Sequence, residues 1–168
     1  MAVQLIRNGG FESGALLPGW RQTPGSAAFD GGVTDAVRAS GSYSLELRSM
    51  DFVEQMFTTV RAYATGPLTF RVKTASALTA GPFFVRIEYT DGSADVPFLG
   101  SVPTRWTAKS FSVDGAKRLR RIQFGTGETG SVYVDDVSLV GSRTLLVGLK
   151  RRSSASKKKG ARRPQPGA

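Results

Sequence analysis

The 168-residue sequence predicts an all-β fold, an antiparallel β-sandwich. Three observations carry that prediction. Apolar and polar residues alternate with a period of two in several short runs, the signature of strands with one buried face. The 20 glycines and 8 prolines are spread along the chain, as many short strands need many turns. No stretch carries a helical period of apolar residues, so nothing competes with the strand reading.

Taken in order, Tyr43, Leu45 and Leu47 alternate with Ser44, Glu46 and Arg48, and Leu68, Phe70 and Val72 alternate with Thr69, Arg71 and Lys73. Phe83, Val85, Ile87 and Tyr89 do the same against Phe84, Arg86 and Glu88. Thr90-Asp91-Gly92-Ser93 then reads as a hairpin turn into a strand over 94–99. Further strands are expected at 106–113, 119–124 and 131–140. A chain of this length, 40% hydrophobic, fills one core and is too short for two ordinary ones.

Two segments frame the domain: Asn8-Gly9-Gly10-Phe11-Glu12-Ser13-Gly14 followed by Trp20, and Val132-Tyr133-Val134-Asp135-Asp136-Val137-Ser138-Leu139. Together they resemble the carbohydrate-binding modules of the galactose-binding-like jelly-roll type, chiefly families four, nine and twenty-two. In those modules the first strand runs into an N-G-G-F-E-x-G...W segment and the last reads V-Y-V-D-D-V-S-L. The resemblance covers roughly residues 4–140. It implies an antiparallel jelly-roll sandwich, galactose-binding-domain-like, over residues 1–141. It does not fix a function, because such modules serve as sugar binders, accessory domains and structural units.

The resemblance also implies a structural calcium ion tying the N-terminal segment to the last strand. Its side-chain ligands would be Glu12 with Asp135 or Asp136, joined by backbone carbonyls, since calcium favours several oxygen ligands. The competing reading is that Glu12 caps a turn and the two aspartates face solvent or loop amides. A sugar site needs flat aromatic faces beside hydrogen-bonding side chains. Candidates are Trp106, Tyr89, Trp20 and Tyr63, with Gln55, Arg86 and Glu88 as polar partners. Trp20 serves equally as a core residue, as do Tyr43 and Tyr133 in their alternating strands.

Composition excludes much chemistry. Without cysteine there is no disulfide, thiolate nucleophile or cysteine zinc site, and without histidine the commonest general base and metal ligand is missing. Glu88 with Asp91, or Asp51 with Glu54, would have to act as the paired carboxylates of a glycosidase, yet local pairs in strands and turns are ordinarily solvated charges. There is no Gly-x-Ser-x-Gly elbow. The expectation is a protein that is not an enzyme.

Beyond the resemblance lie two further segments. Residues 142–149 are apolar enough to want burial, either as an extra strand on their own sandwich or as a strand donated to a neighbouring subunit. Residues 150–168 form a basic tail, with Lys150, Arg151, Arg152, Lys157, Lys158, Lys159, Arg162 and Arg163 and no acidic residue. Those eight leave 15 basic against 13 acidic residues in the rest of the chain, so the net charge of +10 belongs to the tail. A segment of this composition is expected to stay disordered until it meets a polyanion, whether nucleic acid or an acidic protein surface.

The segment 1–7 has neither the apolar run nor the small-residue cleavage site of a signal peptide, and no apolar stretch reaches the length of a membrane span. These features favour a particle assembled in the cytoplasm. The sequence reading is therefore a non-catalytic structural or decorating protein of a large particle, a virion first, acting as an oligomer with partner subunits. The alternative is a glycan-binding module held at a cell or spore surface by its basic tail.

Overall fold

The computed structural model describes residues 2–26, 29–75, 83–99, 102–127 and 130–145. Among the described residues it holds fourteen strands and no helix. The strands are β1 (Val3–Gln4), β2 (Trp20–Gln22), β3 (Gly32–Thr34), β4 (Ser44–Leu47), β5 (Phe52–Met56), β6 (Val60–Ala64), β7 (Leu68–Thr74), β8 (Phe83–Tyr89), β9 (Ala94–Asp95), β10 (Phe98–Leu99), β11 (Thr107–Phe111), β12 (Leu119–Thr126), β13 (Val132–Ser138) and β14 (Val140–Leu145). All pairings are antiparallel.

Two sheets make the jelly-roll sandwich. One runs β10-β8-β12-β5-β2, with β9 also on β8; the other runs β11-β7-β13-β4-β3. The alternation in the sequence explains why they face each other. Val85, Ile87, Ile122 and Phe124 point inward from the first sheet, Leu45, Leu47, Phe70, Val72 and Val134 from the second, and all are buried. Phe70 reaches across to touch Phe124 edge-on at 5.2 Å and Phe83 at 6.0 Å, while Phe83 and Phe124 stack within their own sheet at 5.8 Å. Each buried phenylalanine contributes about 1.5–3 kcal/mol of transfer free energy.

The hairpin expected at 90–93 forms as read: Gly92 takes a φ of +88°, and Asp91 accepts hydrogen bonds from the amide and hydroxyl of Ser93. The strand expected over 94–99 is instead two short ones, because Pro97 has no N–H to continue the ladder. The strand expected over 131–140 ends at Ser138, and a new strand starts at Val140.

The two framing segments meet, and they close the sandwich. Leu5 donates to the carbonyl of Leu139 (2.8 Å), and Val137 donates to that of Gly9 (2.9 Å). The Gln4 side chain accepts from the Leu139 amide and donates to the Ser138 hydroxyl. Glycine is required at position 9, since a Cβ there would lie 1.9 Å from the Val137 carbonyl oxygen. Trp20 lies fully buried between Phe11 and Phe124, with ring centroids 5.9 and 5.3 Å away.

A third, small sheet runs β1-β14-β6. In it, residues 142–145 of the extra C-terminal segment pair with β6 of the same chain, from Ser142 opposite Tyr63 to Leu145 opposite Val60. Residues 146–149 and the basic tail, 150–168, lie outside the described residues.

Candidate functional site

The outer face of the six-stranded sheet carries an aromatic pair beside a network of arginines and glutamates. Three neighbouring strands, β5, β12 and β8, set their outward residues in register. Phe52, Gly125 and Phe84 form one row, Glu54, Gln123 and Arg86 the next, and Met56, Arg121 and Glu88 the third. Strand β2 extends the middle row by placing Arg21 opposite Glu54.

In the first row the two half-buried phenylalanines meet over the glycine, with ring centroids 5.3 Å apart and planes inclined by 46°. Gly125 makes this possible. A Cβ at that position would fall 2.4 Å from the Phe84 ring and 2.6 Å from the Phe52 ring. The result is an aromatic shelf on the solvent side of a sheet whose other face is core.

The remaining rows form a ladder of charge-assisted hydrogen bonds. Arg21 donates through Nε and Nη2 to Glu54 Oε1 (2.9 and 2.7 Å), and Arg121 Nη1 donates to Glu54 Oε2 (2.8 Å). Arg121 Nη2 donates to Glu88 Oε1 (2.8 Å), its Nε lies 2.7 Å from Glu88 Oε2, and Arg86 Nε donates to Glu88 Oε1 (2.9 Å). Gln123 donates to the hydroxyl of Thr23 (2.9 Å).

Only 1% of the Glu54 side chain is exposed, against 53% of that of Arg21 and 41% of that of Arg86. Burial alone would push the Glu88 carboxyl up, but the hydrogen bond and charge of Arg121, with those of Arg86, hold it below the usual glutamate range. Arg121 is correspondingly raised, chiefly by its hydrogen bond to Glu88. Such a network fixes side chains that would otherwise be mobile, so polar groups stand pre-organised beside the aromatic shelf. A general acid needs a raised carboxyl, and Glu88 is shifted the other way.

Of the residues singled out from the sequence, Arg86 and Glu88 stand on this face. Trp20 is in the core. Gln55 points inward, where its amide accepts from the Arg7 N–H and donates to the Arg7 carbonyl. Tyr89 is buried; its hydroxyl donates to Asp95 (2.6 Å) and accepts from the Asp114 amide (2.9 Å), and burial with the Asp95 bond pushes its pKa up to about 12. Tyr63 is half-buried on β6, and Trp106 half-buried just before β11 on the opposite sheet. The structure does not bring these aromatics together. Sequence reasoning missed Phe52, Phe84, Arg121 and Gln123, and weighed Glu54 only as a glycosidase carboxylate beside Asp51. The available signal was Phe84, an aromatic sharing the outward phase of Arg86 and Glu88.

The acidic residues of the framing segments converge on the loop at 39–43. Glu12 accepts from the amides of Ser42 and Tyr43, and Asp135 accepts from those of Ala39, Ser40 and Asp136. A Cβ on Gly10 would lie 3.9 Å from an oxygen of each carboxylate, so both border that position. Asp135 is fully buried, and that burial raises its pKa despite three amide donors. Asp136 has a positive φ of 52° at an irregularity in β13 and turns away, towards the Ser40 hydroxyl (2.5 Å) and Arg71 (3.3 Å). Among the described residues no three acidic side chains stand close enough to share a metal. The oxygens of Glu12 and Asp135 are thus held by loop amides, the arrangement of the competing reading, and a calcium shell would need their remaining lone pairs together with backbone carbonyls.

No protein-family model and no curated protein sequence matches this chain. Solved structures do. A family 16 carbohydrate-binding module aligns at a TM-score of 0.56 and 16% identity over 80% of this chain and 98% of that one. The family 61 module solved with β-1,4-galactotriose gives a TM-score of 0.56 and 13% identity over 82% and 97%. The enzymatically active domain of tailspike protein 4 of bacteriophage CBA120 gives 0.56 and 15% over 83% of this chain but 21% of that one. The chain thus has the jelly-roll fold of carbohydrate-binding modules, as the framing segments implied.

Proposed function

We propose that this chain is a non-catalytic glycan-binding module whose recognition surface is the outer face of β2, β5, β12 and β8. The observation that carries the reading is the Phe52–Phe84 shelf over Gly125, set beside a fixed ladder of arginine, glutamate and glutamine. Sugars present C–H patches that pack on aromatic rings, and their hydroxyls take hydrogen bonds from pre-positioned polar groups. The depressions elsewhere on the sandwich fit less well. One of about 360 Å³ on the five-stranded sheet, lined by Thr69, Phe70, Arg71, Ala108, Lys109, Ser110 and Asp136, has as its single ring the buried Phe70.

Affinity electrophoresis through gels containing galactan, xylan or glucan tests this. The wild-type chain is retarded by at least one polysaccharide, and the F52A/F84A double variant, folded by its thermal melt, is not. Equal retardation of both would overturn the assignment of this face.

Within this reading calcium is a staple, with Glu12 and Asp135 as its side-chain ligands, and the tail is an electrostatic anchor. A second reading, a structural component of a virion, is favoured by the similarity to the tailspike domain. It is compatible with the first, since a particle can carry a glycan-binding surface. Oligomeric assembly, which that reading requires, is tested by light scattering on the full chain.

A further inference from the structure

Beside the ladder, at the end of the same three strands, lies a depression of about 230 Å³ lined by Phe57, Thr58, Thr90, Arg118 and Arg120. It continues the face, because Phe57 donates to the Arg120 carbonyl and Thr90 to the Arg118 carbonyl, both at 2.9 Å, extending the pairing of β5 and β8 with β12. Along β12 the distance from Gly125 to Arg120 is five residues, roughly 17 Å at the rise of an extended strand. One oligosaccharide of several sugars spans both.

The arginines here differ from those of the ladder. Arg118 has no carboxylate partner among the described residues; its Nη2 donates to the Val60 carbonyl at 3.3 Å, and its buried Nε makes no hydrogen bond. Arg120 is more than half exposed, and its nearest carboxylate, Glu88 at 4.0 Å, is already held by Arg121 and Arg86. Among the described residues the ion pairs of Arg21, Arg86, Arg120 and Arg121 on this face draw on two carboxylates, Glu54 and Glu88, and Arg118 has none. A neutral sugar would leave Arg118 without a carboxylate and Arg120 with only its long contact to Glu88, while removing water from both. An anion offers both guanidiniums charge-assisted bonds in the planar geometry they favour.

We infer that the ligand of this face is an acidic glycan, with a carboxylate or sulfate substituent seated between Arg118 and Arg120 and a sugar ring on the Phe52–Phe84 shelf. This rests on the glycan-binding reading above. The basic tail attracts any polyanion, so the part of the acidic preference that counts is the part lost in R118Q/R120Q, which shares the tail, at the same salt.

The test is isothermal titration with polygalacturonate, its carboxyl-reduced neutral form, and a sulfated and an unsulfated galactan. The wild-type chain binds one of the acidic polymers about tenfold or more tighter than its neutral counterpart, as expected for loss of one charge-assisted contact. The R118Q/R120Q variant loses that preference, and whichever acidic polymer is preferred identifies the substituent. Equal binding of acidic and neutral forms by the wild type overturns the inference and leaves the glycan reading standing. So does an unchanged preference in R118Q/R120Q. Unchanged binding of the neutral polymers by F52A/F84A, or binding of no polymer at all by the wild type, overturns both. Because the wild-type comparison between native and carboxyl-reduced polymer needs no variant, a misfolded R118Q/R120Q does not rescue the idea.

Discussion

Replacing Arg121 by Met is the most informative single perturbation of the ladder. The guanidinium makes contacts of 2.7–2.8 Å with Glu54 and Glu88, and only 24% of its side chain is exposed. Charge-assisted bonds of this kind contribute about 1.5–3 kcal/mol each when isolated. Here Glu54 keeps Arg21 and Glu88 keeps Arg86, so neither carboxylate is left without a cation. The expected cost at neutral pH is therefore about 3 kcal/mol, less than the simple sum and near the lower end for breaking a buried pair. In a domain of this size that lowers the melting temperature by roughly 10 °C.

The pH dependence distinguishes this account from a packing effect. The folded-state pKa of Glu88 is depressed, so its contribution to stability is present above the unfolded value and is lost as pH falls through the folded one. Differential scanning calorimetry of wild type and R121M should show the full gap at pH 7 and a gap that shrinks only below the ordinary glutamate value of about 4.3, as the pH falls through the depressed folded-state value of Glu88. A gap unchanged by that fall in pH would refute the electrostatic account, and a gap below about 1 kcal/mol at pH 7 would show that the ladder is ornamental to stability.

Three further predictions concern separate parts of the molecule. Gly125→Ala forces Phe52 and Phe84 apart, so glycan retention in affinity gels falls several-fold while the melting temperature drops by only a few degrees. Gly9→Ala drives a methyl group into the Val137 carbonyl and breaks the closure of the sandwich, costing about 3 kcal/mol or more in urea titrations. Millimolar calcium raises the melting temperature of the wild type, and Asp135→Asn abolishes that rise, with magnesium as the control; a rise that survives the substitution would place the ion elsewhere.

Much of the fold was legible because one-sided burial writes itself into alternation. The runs at 43–47, 68–72 and 83–89 became strands β4, β7 and β8 with their apolar residues inward. The meeting of the two framing segments followed the resemblance. Strand β5 was not legible, and the reason is physical. Val53, Glu54 and Gln55 are all buried, Glu54 beneath arginines on the outer face and Gln55 against the Arg7 backbone, so the polar-apolar rhythm is missing.

The shelf and the ladder were hidden for another reason. Phe52, Phe84 and Gly125 come from three distant parts of the chain, and only the register of β12 with its two neighbours places them in one row. Trp20 and Tyr89 drew attention as the large aromatics of the sequence, yet their size is what the core uses. The residues that form the outer face are smaller, and their significance lies in position.

The measurement that tests the central claim most directly is NMR chemical-shift mapping of the isotope-labelled chain titrated with an oligosaccharide that retards it in gels. The account predicts shifts concentrated at Phe52, Phe84, Arg121, Gln123 and their strand neighbours, with saturable fast exchange. Shifts confined to the five-stranded sheet around Arg71 and Ala108, or to the β6 and β14 edge, would contradict it.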